Sequence, residues 1–198
     1  MDAMETQELK ERLALIEEMM TAGRRSTESW GWTFVLWGLA YYVAIGWSAL
    51  GGVYAWPVTM VATCVLMGVF LVRRDRKPNT TMNRAVIAVW IALGVTMMTL
   101  MPALAISGRF ADARGSIAVV CALLGLANGA SGIVLKWRLQ IASACVWWGA
   151  SMEVCFGSDK QALLVFMVAI FFCQIVFGVA CMVAEARQAR AMKDGAHA

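Results

Sequence analysis

Residues 162–184 read ALLVFMVAIFFCQIVFGVACMVA, and this stretch decides the class of fold. It contains no Asp, Glu, Lys or Arg over its whole length. A helix needs about 20 predominantly apolar residues to cross the hydrocarbon core of a bilayer. Because the stretch exceeds that length without a charge, it predicts a transmembrane helix.

Five further apolar blocks precede this one, separated by short stretches that contain Gly, Pro or charged residues. Short connections make consecutive helices pack as antiparallel neighbours. We therefore predict an all-α polytopic membrane protein with six transmembrane helices arranged as three antiparallel hairpins. The six predicted spans are residues 30–50, 53–72, 84–106, 116–135, 139–156 and 162–184.

The composition agrees with this class. Hydrophobic residues make up 61% of the 198 positions and charged residues 15%, whereas a soluble domain carries about 25% charged residues. The predicted organisation has three parts. An acidic amphipathic cytoplasmic helix covers residues 1–25, a six-helix transmembrane domain covers 30–184, and a short cytoplasmic tail covers 185–198.

The distribution of Lys and Arg predicts the orientation of the chain. Fourteen of the seventeen Lys and Arg residues fall in the amino-terminal segment, the second and fourth connections between spans, and the tail. Only Arg109, Arg114 and Lys160 fall on the other side. Because loops rich in Lys and Arg stay in the cytoplasm, we predict that both termini lie in the cytoplasm.

The amino-terminal segment differs from the rest because it is acidic and amphipathic. Asp2 followed by Glu5 predicts a helix start, and Gly23 predicts its end. Helices that lie on anionic lipid are rich in Lys and Arg, but this one holds six acids against two bases before Gly23. We therefore expect it to dock on protein: the chain's own basic loop, a second subunit or a partner. The apolar stripe expected to make that contact consists of Leu9, Leu13, Ile16 and Met20.

The same segment carries a family resemblance. The sequences ELKE (8–11) and IEEMM (16–20), followed by GW (31–32) and LWG (36–38), resemble a loose group of uncharacterised bacterial inner-membrane proteins. Those proteins place a short amphipathic helix ending in paired methionines before a glycine-rich first span. The resemblance covers about the first 45 residues. It implies a small multi-helix membrane protein, sometimes encoded beside a winged-helix regulator, and carries over no catalytic residue.

Four side chains inside the apolar blocks are candidates for binding a ligand or an ion. Glu153 lies in predicted span five, and ionisable groups within membranes are often functional. Asn128 and Gln174 lie deeper in their spans, and Trp148 offers an aromatic face to a lipophilic cation. Structural roles are the alternative for each: an acid that reaches the interface, amides that hydrogen-bond between helices, and an indole that only packs.

Three glycines form a flat face on predicted span four: Gly125, Gly129 and Gly132. Small residues at this spacing let another helix approach closely. We expect this face to serve helix packing, within the subunit or between subunits.

The sequence is missing the residues that several enzyme classes need. His197 is the only histidine, so histidine-ligated haem, zinc hydrolysis and a Ser-His-Asp triad each lack a part. The phosphate-binding GxxxxGK[ST] pattern is absent from the sequence. We expect no catalysis, no cofactor, no metal site and no nucleic-acid partner.

Two functional hypotheses follow. The first is a non-enzymatic accessory or regulatory interaction subunit in the lipid bilayer, which binds a protein partner or forms a homo-oligomer through its acidic helix. The second is a small transporter or channel for a cation or lipophilic compound, with Glu153 as the coupling acid.

Overall fold

A computed structural model describes residues 3–28, 30–73, 81–108 and 113–195. Within these ranges the chain forms seven helices and no strand, so the all-α prediction is confirmed. The last helix, α7, is continuous and has three parts: an α-helical part Asp159–Ile170, a π-helical segment Phe171–Val176 and an α-helical part Phe177–Gly195. The other helices are α1 (Ala3–Glu28), α2 (Gly31–Ala49), α3 (Ala55–Arg73), α4 (Thr81–Ile106), α5 (Ala113–Val134) and α6 (Arg138–Phe156).

The number of helices that qualify as membrane spans is three rather than the predicted six. Among the described residues, only Thr81–Ile106, Ala113–Val134 and Asp159–Arg187 are both long and apolar enough to cross a membrane. In α3 the described apolar stretch, Ala55–Phe70, is shorter than these three. Helices α2 and α6 are helical where expected, but Trp, Tyr, Gly and Ser dilute their aliphatic residues. The prediction of six spans treated these diluted blocks as equal to the purely aliphatic ones.

The predicted boundaries of the terminal segments also change. Helix α1 continues through Gly23 to Glu28, because an interior glycine costs a helix only about 1 kcal/mol. Within the predicted tail at 185–198, α7 remains helical to Gly195. Asp2, the predicted start of α1, and His197 lie outside the described residues.

Helices α2, α5, α6 and α7 form the centre of the bundle, while α3 packs on α2, and α4 packs on α5 and α1. The most extensive interface joins α5 and α6. Short turns connect consecutive helices, and Gly51 and Gly108 adopt positive φ values of 86° and 69° in two of them. Helix α7 begins with a capping box in which the Ser158 hydroxyl and the Gln161 side chain satisfy each other's backbone N–H groups.

Helices α2 and α7 cross with their backbones in close approach. A Cβ atom added at Gly31 would lie 2.6 Å from the Gly178 carbonyl oxygen, and one added at Gly178 would lie 2.6 Å from the Gly31 carbonyl oxygen. Both positions therefore have to be glycine for the helices to cross at this distance.

Helices α3 and α4 expose apolar side chains over most of their surface. Only a small part of α4 is buried, although it is among the most apolar helices. The exposed aliphatic residues of the two helices include Val61, Val65, Ile91 and Val95.

Candidate functional site

Glu153 lies on the outside of the bundle. It is exposed and lines an open groove of about 330 Å³ between α6 and α7. The other lining residues are apolar or Gly: Val146, Gly149, Ala150, Leu164, Val165, Val168 and Ala169. The lining of this groove offers Glu153 no other charged or hydrogen-bonding side chain.

Trp148 is not brought to Glu153 but lies across the glycine face of α5. Its indole ring covers the space beside Gly125 and Gly129, where an added Cβ would come within 2.4 Å and 2.8 Å of ring atoms. At Gly132 an added Cβ would lie 2.9 Å from the backbone nitrogen of Ile141. The structure thus places α6 of the same chain on the predicted packing face.

Asn128 and Gln174 are both enclosed by the bundle, with 0% and 3% of their surface exposed. The Asn128 side-chain nitrogen Nδ2 donates a hydrogen bond to the Leu124 carbonyl oxygen at 2.8 Å. The side-chain oxygens of both amides are buried and have no hydrogen-bond partner in the described part of the chain.

Four more buried residues, which were not among the predicted site residues, also have side-chain polar atoms without a hydrogen-bond partner in the described part of the chain. Gln140 is 0% exposed and both atoms of its amide lack a partner among the described residues. We call the complete set the polar layer. Its unpartnered atoms are Asn128 Oδ1, Ser131 Oγ, Gln140 Oε1 and Nε2, Ser143 Oγ, Trp147 Nε1 and Gln174 Oε1.

The register of the helices brings these residues to neighbouring levels. The Cys173 thiol donates to the Ser143 carbonyl oxygen at 3.7 Å, which fixes the π-helical segment beside α6. Gly132 of α5 packs against the backbone of Gln140. On the far side, Gly38 of α2 leaves room for Gln174, whose Cβ would lie 3.0 Å from a Cβ added at Gly38. Four helices therefore surround the polar layer.

On α6 the polar layer follows one face of the helix. Gln140, Ser143 and Trp147 are spaced by three and four residues, which places them on adjacent turns of the same side. On α5, Asn128 and Ser131 have the same relation. The α5–α6 interface therefore carries a polar stripe along the half of the bundle near the connecting turn at residues 135–137.

Aromatic clusters lie on both sides of the polar layer. Toward the α5–α6 turn, the Phe177 ring contacts Phe34 and Trp137, with ring centroids 5.1 Å and 5.4 Å away. In the opposite direction along the bundle, the Phe166 ring lies 5.8 Å from Tyr41 and 6.2 Å from Trp147. The layer is thus separated from the bundle ends by large apolar side chains.

The energetic cost identifies the polar layer as unusual. A buried polar group left unpaired costs about 1–3 kcal/mol. The polar layer holds seven such atoms among the described residues. Hydrogen-bonding groups from outside the chain would offset this cost.

The outer end of the α5–α6–α7 unit has its polar groups paired. The Arg114 guanidinium donates to the Gly157 carbonyl oxygen at 3.0 Å and lies 3.2 Å from the Asp159 carboxylate. Further in, the Ser151 hydroxyl donates to the Ala118 carbonyl oxygen at 2.8 Å. In the described part of the chain, the outer end thus has an ion pair and two side-chain hydrogen bonds between helices or turns.

The amino half of α1 is exposed along a continuous stretch. All residues from 7 to 18 are exposed, including Leu9, Leu13 and Ile16 at 53%, 54% and 42%. Arg12 forms an exposed ion pair with Glu8, one turn earlier, at 2.6 Å. The Met20 side chain and the loop residues 74–77, expected to face the acids, lie outside the described residues. The apolar stripe is therefore open along the part that the structure describes.

Comparison with known proteins yields no relative: no family model, no curated protein and no solved structure matches this chain.

Proposed function

We propose that this chain is a multi-pass protein of the bacterial inner membrane that acts, without catalysis, as an accessory or regulatory interaction subunit through α1. The observation that carries the proposal is the exposed apolar stripe on a helix of 26 residues. A contiguous row of exposed apolar side chains marks a surface that binds a protein or a membrane. The acids beside them make anionic lipid a poor cover.

The membrane part of the proposal is that α2, α3 and α6 cross the bilayer together with the three longer apolar helices. Each has 19 residues and is about 28 Å long, close to the hydrocarbon thickness of about 30 Å. Six spans would also keep fourteen Lys and Arg residues on one side. Lipid is the natural cover for the exposed apolar faces of α3 and α4.

The partner that fits α1 best is α1 of a second copy. Leu9, Leu13 and Ile16 are spaced by four and three residues, which corresponds to positions d, a and d of a heptad. In this register Arg12 is at position g and Glu17 at position e. A parallel pair of helices brings each g residue beside the following e residue of the other chain, so Arg12 and Glu17 attract each other twice across a twofold axis.

The apolar stripe contributes most of the binding energy. Each exposed ion pair is worth at most about 1 kcal/mol, whereas complete burial of one Leu or Ile contributes about 1.5–3 kcal/mol. Two heptads are short for an independent coiled coil. Anchoring both copies in the same membrane raises their effective concentration and lowers the affinity that α1 itself has to supply.

A charge-exchange experiment tests this pairing. On a cysteine-free background, Leu13→Cys should form a disulfide-linked dimer in native membranes, while Glu18→Cys, at the outward position f, should not. Arg12→Glu and Glu17→Arg should each lower the Leu13→Cys dimer, by about fivefold for a loss of ~1 kcal/mol. The double variant should restore it. The Arg12–Glu8 ion pair within one chain is lost both in Arg12→Glu and in the double variant. Recovery of the dimer in the double variant therefore reports only the contact between residues 12 and 17 of the two chains.

A second variant separates self-association from another partner. Leu13→Ser combined with Ile16→Ser should abolish every α1-mediated interaction and leave the membrane bundle folded. If the dimer never forms but these variants lose a stoichiometric co-purifying protein, α1 binds that protein instead. If they lose neither, α1 is not an interaction helix and the proposal is wrong.

A further inference from the structure

The polar layer presents hydrogen-bonding groups to the inside of the bundle that no described protein group satisfies. We propose that it binds a small uncharged solute with adjacent hydrogen-bond donor and acceptor atoms, the chemistry of a primary amide or of urea. This inference concerns the centre of the bundle and is independent of the role of α1.

The kinds of unpartnered atom define the ligand class. Acceptor oxygens come from Asn128, Gln140 and Gln174, while Gln140 Nε2 and Trp147 Nε1 are donors. A metal or alkali cation would be repelled by the two N–H groups. An anion would be repelled by the three amide oxygens. A solute that carries both donors and acceptors can satisfy the two sets together.

The absence of formal charge in the polar layer also favours a neutral solute. Its six residues are amides, hydroxyls and an indole, none of which is ionised. Bringing a charge into an apolar bundle without a counter-charge is strongly unfavourable. Aromatic rings lie on both sides of the layer and add no opposite charge. A neutral molecule enters this environment at much lower cost.

Gln140 is the residue that most directly recognises such a solute. Both its oxygen and its nitrogen are buried and unpartnered within the described chain, so its planar amide can form two parallel hydrogen bonds with another amide. It lies in the first turn of α6, three residues after Trp137.

The π-helical segment provides a second, independent sign of a site. Segments of this kind are rare and occur frequently at functional sites. Here the segment Phe171–Val176 carries both Cys173 and Gln174 on the buried face. A site built at such a segment can adapt by small changes in the helix turn, which a regular α-helix resists.

The native Cys173 thiol reports on the layer because it lies against Ser143. The experiment uses full-length protein in proteoliposomes with Cys173 as the sole cysteine and the other five replaced by Ala. It compares methyl methanethiosulfonate, which is neutral, with its trimethylammonium and sulfonate analogues. The neutral reagent should modify Cys173 about tenfold faster or more, corresponding to ~1.4 kcal/mol or more for the excluded charge. Acetamide in excess should slow this modification.

Two controls assign the protection to the polar layer. A variant that keeps only Cys145, which is exposed on α6, should react with no effect of acetamide. Gln140→Leu should remove the protection of Cys173 while the elution volume and thermal unfolding show an intact fold. Asn128→Leu serves the same purpose if Gln140→Leu does not fold.

Four results would overturn the inference. The first is no effect of acetamide on the modification of Cys173, and the second is protection that persists in both folded Leu variants. Equal rates with charged and neutral reagents would indicate an open aqueous path rather than a selective site. A Cys173 that reacts with none of the reagents would show that the layer is closed to solutes of this size.

Discussion

Gly178→Ala should destabilise the bundle although alanine is the better helix former. The added Cβ would lie 2.6 Å from the Gly31 carbonyl oxygen, 2.8 Å from Val35 Cγ2 and 3.0 Å from the Val35 backbone nitrogen. Two of these neighbours are backbone atoms, so a change of side-chain rotamer cannot relieve the overlap. The helices α2 and α7 have to move apart.

The size of the effect follows from the required displacement. Ordinary van der Waals contact begins at 3.4 Å, so the crossing must open by about 0.8 Å, and a gap of this size loses roughly a quarter to a half of the dispersion energy of the contacts involved. Overpacking of this kind costs ~1–3 kcal/mol. The gain in helix propensity offsets about 1 kcal/mol, which leaves a net loss of up to ~2 kcal/mol.

Gly94→Ala is the matched control, because Gly94 is also inside a helix and an added Cβ there meets no atom within 4 Å. It should stabilise the protein by up to about 1 kcal/mol. Reversible unfolding in mixed micelles with increasing SDS measures both variants against the parent. If Gly178→Ala is as stable as Gly94→Ala, the close backbone crossing does not exist in the folded protein and the reasoning fails.

Three further predictions concern topology and side chains. Single cysteines at Gly51 and Ser158 should be labelled from outside intact cells, and one at Arg73 should not; external labelling at Arg73 would contradict the six-span proposal. Glu153→Gln should change the free energy of unfolding by less than about 0.5 kcal/mol and leave the α1 dimer intact. A larger change in either measurement would indicate that the Glu153 carboxylate has a functional or structural role. Trp148→Ala should cost ~2 kcal/mol, below the 3–5 kcal/mol of a fully buried Trp, since the indole is 41% exposed. Trp148→Phe is the control. An unchanged unfolding transition in Trp148→Ala would show that packing of α6 on the glycine face does not require the indole ring.

Helix positions could be predicted from the sequence, because apolar block length and short connections determine them. The count of qualifying spans could not, since Trp-rich α2 and polar α6 are helical for reasons of tertiary packing rather than hydropathy. The predicted end of α1 at Gly23 was wrong because intrinsic helix propensity is a weak indicator of where a helix ends. An interior glycine ends a helix only when no residues beyond it favour continuation, and α1 continues for five residues to Glu28.

Only part of the polar layer could be predicted from the sequence. Asn128 and Gln174 could be identified because they interrupt long apolar runs. Gln140 could not, since it follows Lys136 and Arg138 and has the pattern of an interfacial residue. Its burial depends on Gly132, which lets α5 lie directly on the start of α6. The spacing of Gln140 with Ser143 and Trp147 was the one available signal, and it gains meaning only when that face is known to be buried.

The π-helical segment explains why Gln174 is held inside rather than at the lipid surface. Phe166, Ile170, Gln174 and Gly178 are all buried and are spaced by four residues. In a regular α-helix of 3.6 residues per turn, each four-residue step advances the side chain by about 40°. Three such steps would turn Gly178 by about 120° from Phe166. Turns closed by i→i+5 hydrogen bonds contain more residues and take up part of that rotation. The π-helical segment thus allows one face of α7 to carry both the amide of the polar layer and the glycine of the α2 crossing.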